Sequence, residues 1–209
     1  MRAGRFITFE GGEGTGKSTQ VRRLAGRLHE AGQEVVLSRE PGGSPGAEEI
    51  RRLLVTGEAD RWTSTAETLL LYAARSDHLD RVIRPALERG AWVLCDRFAD
   101  STRAYQGAAG GVSPGLLSAL EHEVLDGDSP DLTLVLDLPA AAGLERASGR
   151  GGSENRFESK AGGFHDRLRE AFLEIAVAEP ERCVVIDAAA EEDEVARAVW
   201  SVVRERLQP

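Results

Sequence analysis

The chain contains very little cysteine, histidine or lysine, and these shortages narrow the functions it could have. Its two cysteines, Cys95 and Cys183, lie far apart without the spacing of a metal site, so we expect a reducing compartment. The four histidines form no ligand pattern. No secretory leader precedes Phe6, and no apolar run approaches the length of a membrane span. We therefore predict a cytoplasmic protein that does not bind a membrane.

The charge balance argues against a large anionic partner. The 209 residues carry a formal net charge of −9, and the sequence pI is about 5.1. Such a chain does not bind nucleic acid non-specifically, so its partners should be small molecules. The length and composition suit a single domain spanning residues 1–209.

A phosphate-binding loop follows the first apolar run. Residues 11–18 read Gly-Gly-Glu-Gly-Thr-Gly-Lys-Ser and match G-x-x-x-x-G-K-[ST] at every position. Glycines allow the backbone N–H groups to line an anion, and the following helix adds its positive dipole end. Lys17 and Lys160 are the only lysines beside 24 arginines. A lysine at this position therefore indicates that a compact point charge is needed there and not a planar guanidinium group. The alternative is a glycine-rich turn without a ligand. The predicted ATP-binding residues are Gly11, Gly12, Glu13, Gly14, Thr15, Gly16, Lys17, Ser18 and Thr19.

Apolar strands alternate with helices along the rest of the chain. Strands are predicted at residues 6–9, 34–37, 92–95, 132–137 and 183–186, and the longest predicted helix covers residues 64–88. This alternation predicts an α/β fold of the P-loop NTPase type, with a five-stranded parallel sheet flanked by helices on both faces. Right-handed crossovers place the carboxyl ends of all the strands at one edge, where ligands bind.

Three further features favour a small-molecule kinase. With two lysines the chain has no Asn-Lys-x-Asp guanine clamp, so a GTPase is disfavoured. Asp96 and Arg97 end the third predicted strand: together with Ser18, Asp96 could bind Mg²⁺, and Arg97 could neutralise a phosphate. Asp137 is a rival metal ligand, and a surface ion pair is the alternative for residues 96–97. Residues 146–158 are rich in glycine and arginine and predict a lid, although a solvated loop has the same composition.

An acceptor that is itself a phosphate needs no strong general base, because its attacking oxygen is already an anion. The sequence shows no histidine–carboxylate pair near the predicted loops, which agrees with such an acceptor.

At this point the chain resembles the thymidylate (dTMP) kinase family, from Phe6 to about Asp187. The P-loop carries this resemblance together with Arg-Glu-Pro-Gly-Gly at residues 39–43, Tyr-Ala-Ala-Arg at 72–75, Asp-Arg-Phe at 96–98, Ser-Thr-Arg-Ala-Tyr-Gln-Gly at 101–107 and Asn-Arg-Phe-Glu at 155–158. It implies transfer of a phosphoryl group from ATP to dTMP with Mg²⁺, by a homodimeric enzyme. The apolar face of the helix at residues 64–88 is a candidate interface, although a core helix has the same pattern.

The resemblance also implies roles for individual residues. Glu13 would bind the 3′-hydroxyl group of dTMP, and Tyr105 would exclude a 2′-hydroxyl group. Around the 5′-phosphate would lie Arg39, Arg51 and Arg97, oriented by Glu40 and Asp96. Contacts with the thymine base would come from Arg75, Thr102 and Gln106.

Two departures from the family pattern bear on the site. The P-loop lacks an arginine found in some members, so the chain resembles the subgroup in which the lid supplies it, through Arg150 and Arg156. Leu71 stands where the family commonly has a phenylalanine that stacks on thymine. Two alternatives stay open: a kinase for another nucleotide or nucleoside, and a non-catalytic P-loop switch.

Overall fold

A computed structural model describes residues 4–58, 60–148, 156 and 163–209. In this part of the chain, five parallel strands form one sheet in the order β2-β3-β1-β4-β5. Parallel pairing places Phe6 beside Val93 and Thr8 beside Thr133. The predicted five-stranded parallel sheet is confirmed. The strands are Phe6–Glu10 (β1), Val35–Arg39 (β2), Trp92–Asp96 (β3), Leu132–Asp137 (β4) and Cys183–Asp187 (β5).

Helices connect the strands and cover both faces of the sheet. Their bounds are Lys17–Glu30 (α1), Pro45–Val55 (α2), Ser64–His78 (α3), Arg84–Glu88 (α4), Ala99–Thr102 (α5), Pro114–Leu125 (α6), Ala140–Ser148 (α7), Phe164–Ala178 (α8) and Glu192–Leu207 (α9). None of the helices in the described ranges combines the length and apolar character required to cross a membrane.

The core divides according to the alternation of side chains along β1. Ile7 and Phe9 pack with α1 and α9, through residues such as Leu24 and Val199. Phe6 points to the opposite face and packs with α3, α4 and α6. Because both faces of the central strands are buried, β1, β3 and β4 are mostly apolar, and the polar ligand-binding groups lie at the strand ends and in the loops that follow.

The described helices include two π-helical segments. The helix predicted at residues 64–88 consists of α3, a π-helical segment Leu79–Ile83, and α4. A second π-helical segment, Arg103–Ala108, follows α5 and carries Tyr105 and Gln106. Apolar periodicity cannot distinguish one widened turn from an α-helical turn, so neither segment could be predicted from the sequence. Of the predicted lid, the structure describes residues 146–148, which end α7, and Arg156; its other residues lie outside the described part.

Candidate active site

The phosphate-binding loop joins β1 to α1. Gly14 has a φ angle of 67°, and a Cβ atom added there would lie 1.9 Å from the carbonyl oxygen of Gly143, so no other residue fits. Lys17 begins α1, and its Nζ atom donates to the carbonyl oxygens of Gly11 at 3.1 Å and Gly12 at 2.6 Å. These bonds hold the ammonium group across the mouth of the loop, where outer phosphates of a nucleotide would lie.

Burial and the nearby Arg97 guanidinium lower the pKa of Lys17 to about 8. Lys17 is 7% exposed and forms no salt bridge with any described residue, so its ammonium group has lost most of its hydration without gaining a paired charge. An anionic ligand at the loop would raise this pKa again. The ligand-free site is thus electrostatically prepared for phosphate.

A cleft of about 250 Å³ opens beside the loop at the carboxyl ends of β1, β2 and β3. It brings together residues that lie far apart in the sequence, including Lys17, Ser18 and Asp96. It is also lined by all nine residues predicted to bind the acceptor: Glu13, Arg39, Glu40, Arg51, Arg75, Arg97, Thr102, Tyr105 and Gln106.

Arg97 and Glu13 form the ion pair at the centre of this cleft. Arg97 Nη2 lies 3.1 Å from Glu13 Oε1, and Arg97 Nη1 donates to the carbonyl oxygen of Gly11 at 2.9 Å. The Tyr105 hydroxyl also donates to Glu13, and the Arg97 guanidinium lies 5.0 Å from the centre of the Tyr105 ring. Although burial opposes ionisation, the charges of Arg97 and Lys17 lower the pKa of Glu13 to about 2. Glu13 is therefore a firmly ionised acceptor at neutral pH.

Arg75 also lines this cleft and is almost fully buried. Its Nε atom donates to Glu40 at 2.8 Å and its Nη2 atom to Thr102 at 3.0 Å. The guanidinium lies between the rings of Tyr72 and Phe98, at 4.8 and 5.1 Å from their centres. Among the described residues nothing accepts from Nη1, although this atom is buried. Such a donor calls for a ligand acceptor at this point of the cleft.

A buried histidine–carboxylate pair supports Arg75, contrary to our expectation from the sequence. His78 Nδ1 lies 3.0 Å from Glu40 Oε1, and His78 Nε2 lies 2.6 Å from Ser38 Oγ. The sequence did not reveal the pair because its members are 38 positions apart. Neither Ser38 nor His78 is among the described residues lining the cleft. The pair therefore fixes Glu40 and, through it, Arg75.

The predicted Mg²⁺ ligands lie together at the P-loop edge of the cleft. The Ser18 hydroxyl donates to the Asp96 carboxylate in a short hydrogen bond. Two hard oxygen donors beside a phosphate loop fit Mg²⁺, which keeps several waters and takes few protein ligands. The rival, Asp137, accepts two hydrogen bonds from Arg169, at 2.7 and 2.9 Å, so its carboxylate is already paired.

The two predicted lid arginines have different outcomes. Arg150 lies outside the described residues. Arg156 is fully buried; it pairs with Glu67 and donates to the carbonyl oxygens of Leu54 and Glu58 at 3.1 and 3.0 Å. The sequence suggested a solvated lid arginine, whereas the structure places this one against α2 and α3. Its predicted catalytic role stays a prediction.

Glu67 also contacts a predicted base-binding residue and was missed from the sequence. Gln106 Nε2 donates to Glu67 Oε1 at 2.7 Å, so the orientation of the Gln106 amide is set by this carboxylate. Glu67 lies in the first turn of α3, where a glutamate is an ordinary helix residue. No sequence pattern distinguishes it from a solvated side chain.

The outer arginines of the cleft are also held in place. Arg39 pairs with Glu48 at 3.2 Å, and Arg51 Nη1 donates to the carbonyl oxygen of Pro41 at 2.7 Å. A second cleft of about 330 Å³ lies on the other side of the P-loop, between Gly14, Arg146 and the segment after β5 that includes Ala189. The P-loop thus separates two ligand-sized clefts.

The fold and these clefts define a class of protein: a P-loop phosphotransferase that can bind one ligand on each side of the loop. A family model described as thymidylate kinase matches residues 9–199. The chain is 65% identical over 207 residues to a thymidylate kinase from Caulobacter vibrioides, with 99% of both chains covered. It is 57% identical over 208 residues to one from Bradyrhizobium diazoefficiens, covering 99% of this chain and 91% of the relative.

A solved structure agrees. The crystal structure of a thymidylate kinase from Ehrlichia chaffeensis matches with a TM-score of 0.78 and 35% identity, covering 96% of this chain and 98% of that one. The chain belongs to the thymidylate kinase family. The predicted family, fold class, enzyme class and dTMP-phosphorylating function are confirmed.

Proposed function

We propose that this chain uses the residues of the two clefts to transfer the γ-phosphoryl group of ATP to dTMP, giving dTDP and ADP. The observation that carries the acceptor assignment is the buried Nη1 atom of Arg75, which has no acceptor among the described residues. A thymine ring offers a carbonyl oxygen there, and Gln106 and Leu71 line the same end of the cleft. Aliphatic packing by Leu71 takes the place of aromatic stacking.

The other end of the acceptor cleft suits a phosphate. Arg97, Arg39 and Arg51 all line it, so a 5′-phosphate is met by guanidinium groups despite the negative charge of the chain as a whole. Glu13 is ionised and is available to accept from the 3′-hydroxyl group. Tyr105, buried against Glu13 and Arg97, occupies the space beside the sugar.

ATP would lie in the second cleft, with its phosphates on the P-loop. Backbone N–H groups of residues 11–16 and the N-terminus of α1 would bind them. Arg146 lines this cleft and donates to the carbonyl oxygen of Ala188 at 3.0 Å. Its guanidinium is therefore fixed beside the space that the adenine would fill. The P-loop between the clefts brings donor and acceptor phosphates together.

The transfer needs positioning and charge neutralisation more than proton removal. An oxygen of the acceptor phosphate attacks the γ-phosphorus atom, and the bond to the β-phosphate oxygen breaks. Lys17 and Arg97 lie where they can stabilise the charge on the transferred group. Ser18 and Asp96 would hold Mg²⁺, which supplies charge neutralisation across the phosphates. Arg150 and Arg156 are the proposed lid donors, and Arg156 would have to exchange Glu67 for phosphate.

We also propose a cytoplasmic location and a homodimeric state for the enzyme. Two buried, unpaired cysteines agree with a cytoplasmic protein. A homodimer is proposed through α3: Leu71, Tyr72 and Ala74 are in the core, but Leu69 is 49% exposed on the outer face. Sedimentation equilibrium of the native chain and a Leu69→Glu variant tests this, since the variant should dissociate.

An ADP-release assay with dTMP, dUMP, dCMP, dGMP and thymidine tests the acceptor. We expect the highest kcat/KM with dTMP and almost no turnover of thymidine, because the guanidinium groups need a phosphate. A preference for another acceptor would favour the alternative kinase, and nucleotide binding without acceptor-dependent turnover would favour the switch.

A further inference from the structure

Glu10 is a fully buried carboxyl group at the end of β1, immediately before the P-loop. It accepts hydrogen bonds from the backbone N–H groups of Phe98 at 2.7 Å and Ser101 at 3.3 Å, and it bonds the Ser101 hydroxyl at 2.6 Å. All three donors are neutral and belong to residues 98–101, where the chain leaves the turn after β3 and enters α5. Burying a carboxyl group among neutral partners costs folding free energy, which its hydrogen bonds to this segment must offset.

The turn that Glu10 binds carries Arg97 in a disfavoured conformation. Arg97 has a φ angle of 70°, in the left-handed region that residues with a side chain rarely adopt. Its own N–H group donates to the carbonyl oxygen of Phe9 at 2.9 Å, and the next N–H group along the chain donates to Glu10. The last two residues of β1 therefore hold the turn on both sides of the left-handed residue.

Ser101 extends this hold to the Arg97 side chain. Arg97 Nη1 donates to Ser101 Oγ at 3.2 Å, in addition to the carbonyl oxygen of Gly11. One hydroxyl group thus separates the Glu10 carboxyl from the guanidinium that faces the transferred phosphate. Glu10 does not line the cleft, so it would not touch a ligand bound there.

We propose that Glu10 is a positioning residue for phosphoryl transfer: it holds Arg97 in its left-handed turn and orients the Arg97 guanidinium through Ser101. This proposal rests on the role given to Arg97 in the proposed function. Its essential property is reach, because the carboxyl must touch two backbone N–H groups and the hydroxyl group at once.

The pKa of Glu10 agrees with a role that depends on the length of the side chain and not on its charge. Burial and the neighbouring Asp100 raise the pKa of Glu10 to about 8, so the carboxyl group is largely protonated near neutral pH. In either protonation state the Ser101 oxygen keeps a lone pair for Arg97. A glutamine at this position has the same reach and resembles the protonated acid.

Four variants separate positioning from stability. Glu10→Asp withdraws the carboxyl group by one methylene, and Ser101→Ala removes the hydroxyl link. We expect both to lower kcat on the order of ten- to a hundredfold, with the KM for ATP changed less than about twofold. Glu10→Gln should keep kcat within about threefold of the wild type, because the reach is restored. The double variant Glu10→Asp/Ser101→Ala should lose little more than either single change, since both act on one path.

Thr8→Val is the matched control. Thr8 is fully buried on the same strand and bonds Thr133 across the sheet at 2.9 Å, without a described hydrogen bond to the Arg97 turn. This variant should lower Tm about as much as Ser101→Ala and leave kcat unchanged. If Glu10→Asp and Ser101→Ala likewise lower Tm alone, or if Glu10→Gln is as slow as Glu10→Asp, Glu10 is only a structural residue.

Arg97→Lys and crystal structures of the variants keep this test separate from the proposed function. If Arg97→Lys is as active as the wild type, the role of Arg97 in the reaction is wrong. The hold on Arg97 is then judged from the structures: a left-handed Arg97 still bonded to Gly11 in Glu10→Asp would overturn the positioning role, whereas a displaced Arg97 would support it.

Discussion

Replacing Arg75 by glutamine should remove much of the selection for thymine. In the native chain the Arg75 Nη1 donor is buried without an acceptor, while Nε and Nη2 are held by Glu40 and Thr102. Because two of its three nitrogens are fixed, the guanidinium cannot turn to suit a different base. Glutamine can still donate to Glu40, which limits the damage to the buried carboxylate, but it is too short to present the same donor.

The magnitude follows from counting unpaired groups. In the proposed complex with dTMP, the thymine O4 atom would accept from Nη1; with 5-methyl-dCMP, the 4-amino group would face the same donor, and both groups would be left unpaired. Each buried unpaired group costs about 1–3 kcal/mol. The native enzyme should therefore prefer dTMP in kcat/KM by about 2–6 kcal/mol, which corresponds to about 30- to 20,000-fold. In Arg75→Gln we expect a preference below about tenfold, with a lower kcat/KM for dTMP.

The assay is ADP release with dTMP and 5-methyl-dCMP, at a temperature where thermal unfolding shows both proteins folded. Arg84→Gln is the control. Like Arg75, Arg84 is a helical arginine in an ion pair, here with Asp80 and Asp128, but it does not line the cleft. It should lose stability and keep the preference. A folded Arg75→Gln protein that still prefers dTMP by several hundredfold would refute this account of base recognition.

Three other outcomes are expected. Lys17→Ala should lower kcat by roughly a hundredfold or more with the fold intact, because a positioned charge at the transferred group is lost; an unchanged kcat in single-turnover measurements would reject the assignment. Since the pKa of Lys17 in the ligand-free chain is about 8, kcat/KM for ATP should fall as the pH rises through that value. The kcat at saturation should fall only at higher pH, and pH profiles of both constants decide this. Arg150→Ala and Arg156→Ala should lower kcat more than they raise the KM for dTMP; if only that KM changes in steady-state assays, the lid role is wrong.

The sequence predicted those parts of the site in which the ligand-binding groups are local. Residues 11–18 fix the P-loop because the turn, the lysine and the helix start are contiguous, and the apolar strands predict the parallel sheet that carries it. The nine residues carried over by family resemblance as acceptor contacts all line one cleft, because each follows a strand end or lies on a helix beside that edge. None of this needed a distance between remote residues.

The contacts of the site that could not be predicted depend on distances between residues that are far apart in the sequence. His78 is on α3 and Glu40 follows β2, so their pairing exists only once both elements are packed. The burial of Arg156 likewise depends on carbonyl groups at the end of α2 and on Glu67. Its glycine-rich sequence context indicated solvent exposure instead. The π-helical turn that carries Tyr105 and Gln106 changes no residue spacing that a periodicity test can detect.

The acidity of the chain and the cationic lining of its cleft have one physical explanation. Each principal cation of the acceptor cleft is held by oxygen atoms of the protein: Arg97 by Glu13, Arg75 by Glu40, Arg39 by Glu48, and Lys17 by P-loop carbonyl groups. These partners keep guanidinium groups that would otherwise repel one another oriented before a ligand arrives. They also cancel most of the charge, so phosphate is bound only where it can add to these contacts or replace one of them. We therefore expect selectivity for a phosphorylated acceptor to come from the geometry of a few pre-paired cations, with the net charge of the chain working against other anions.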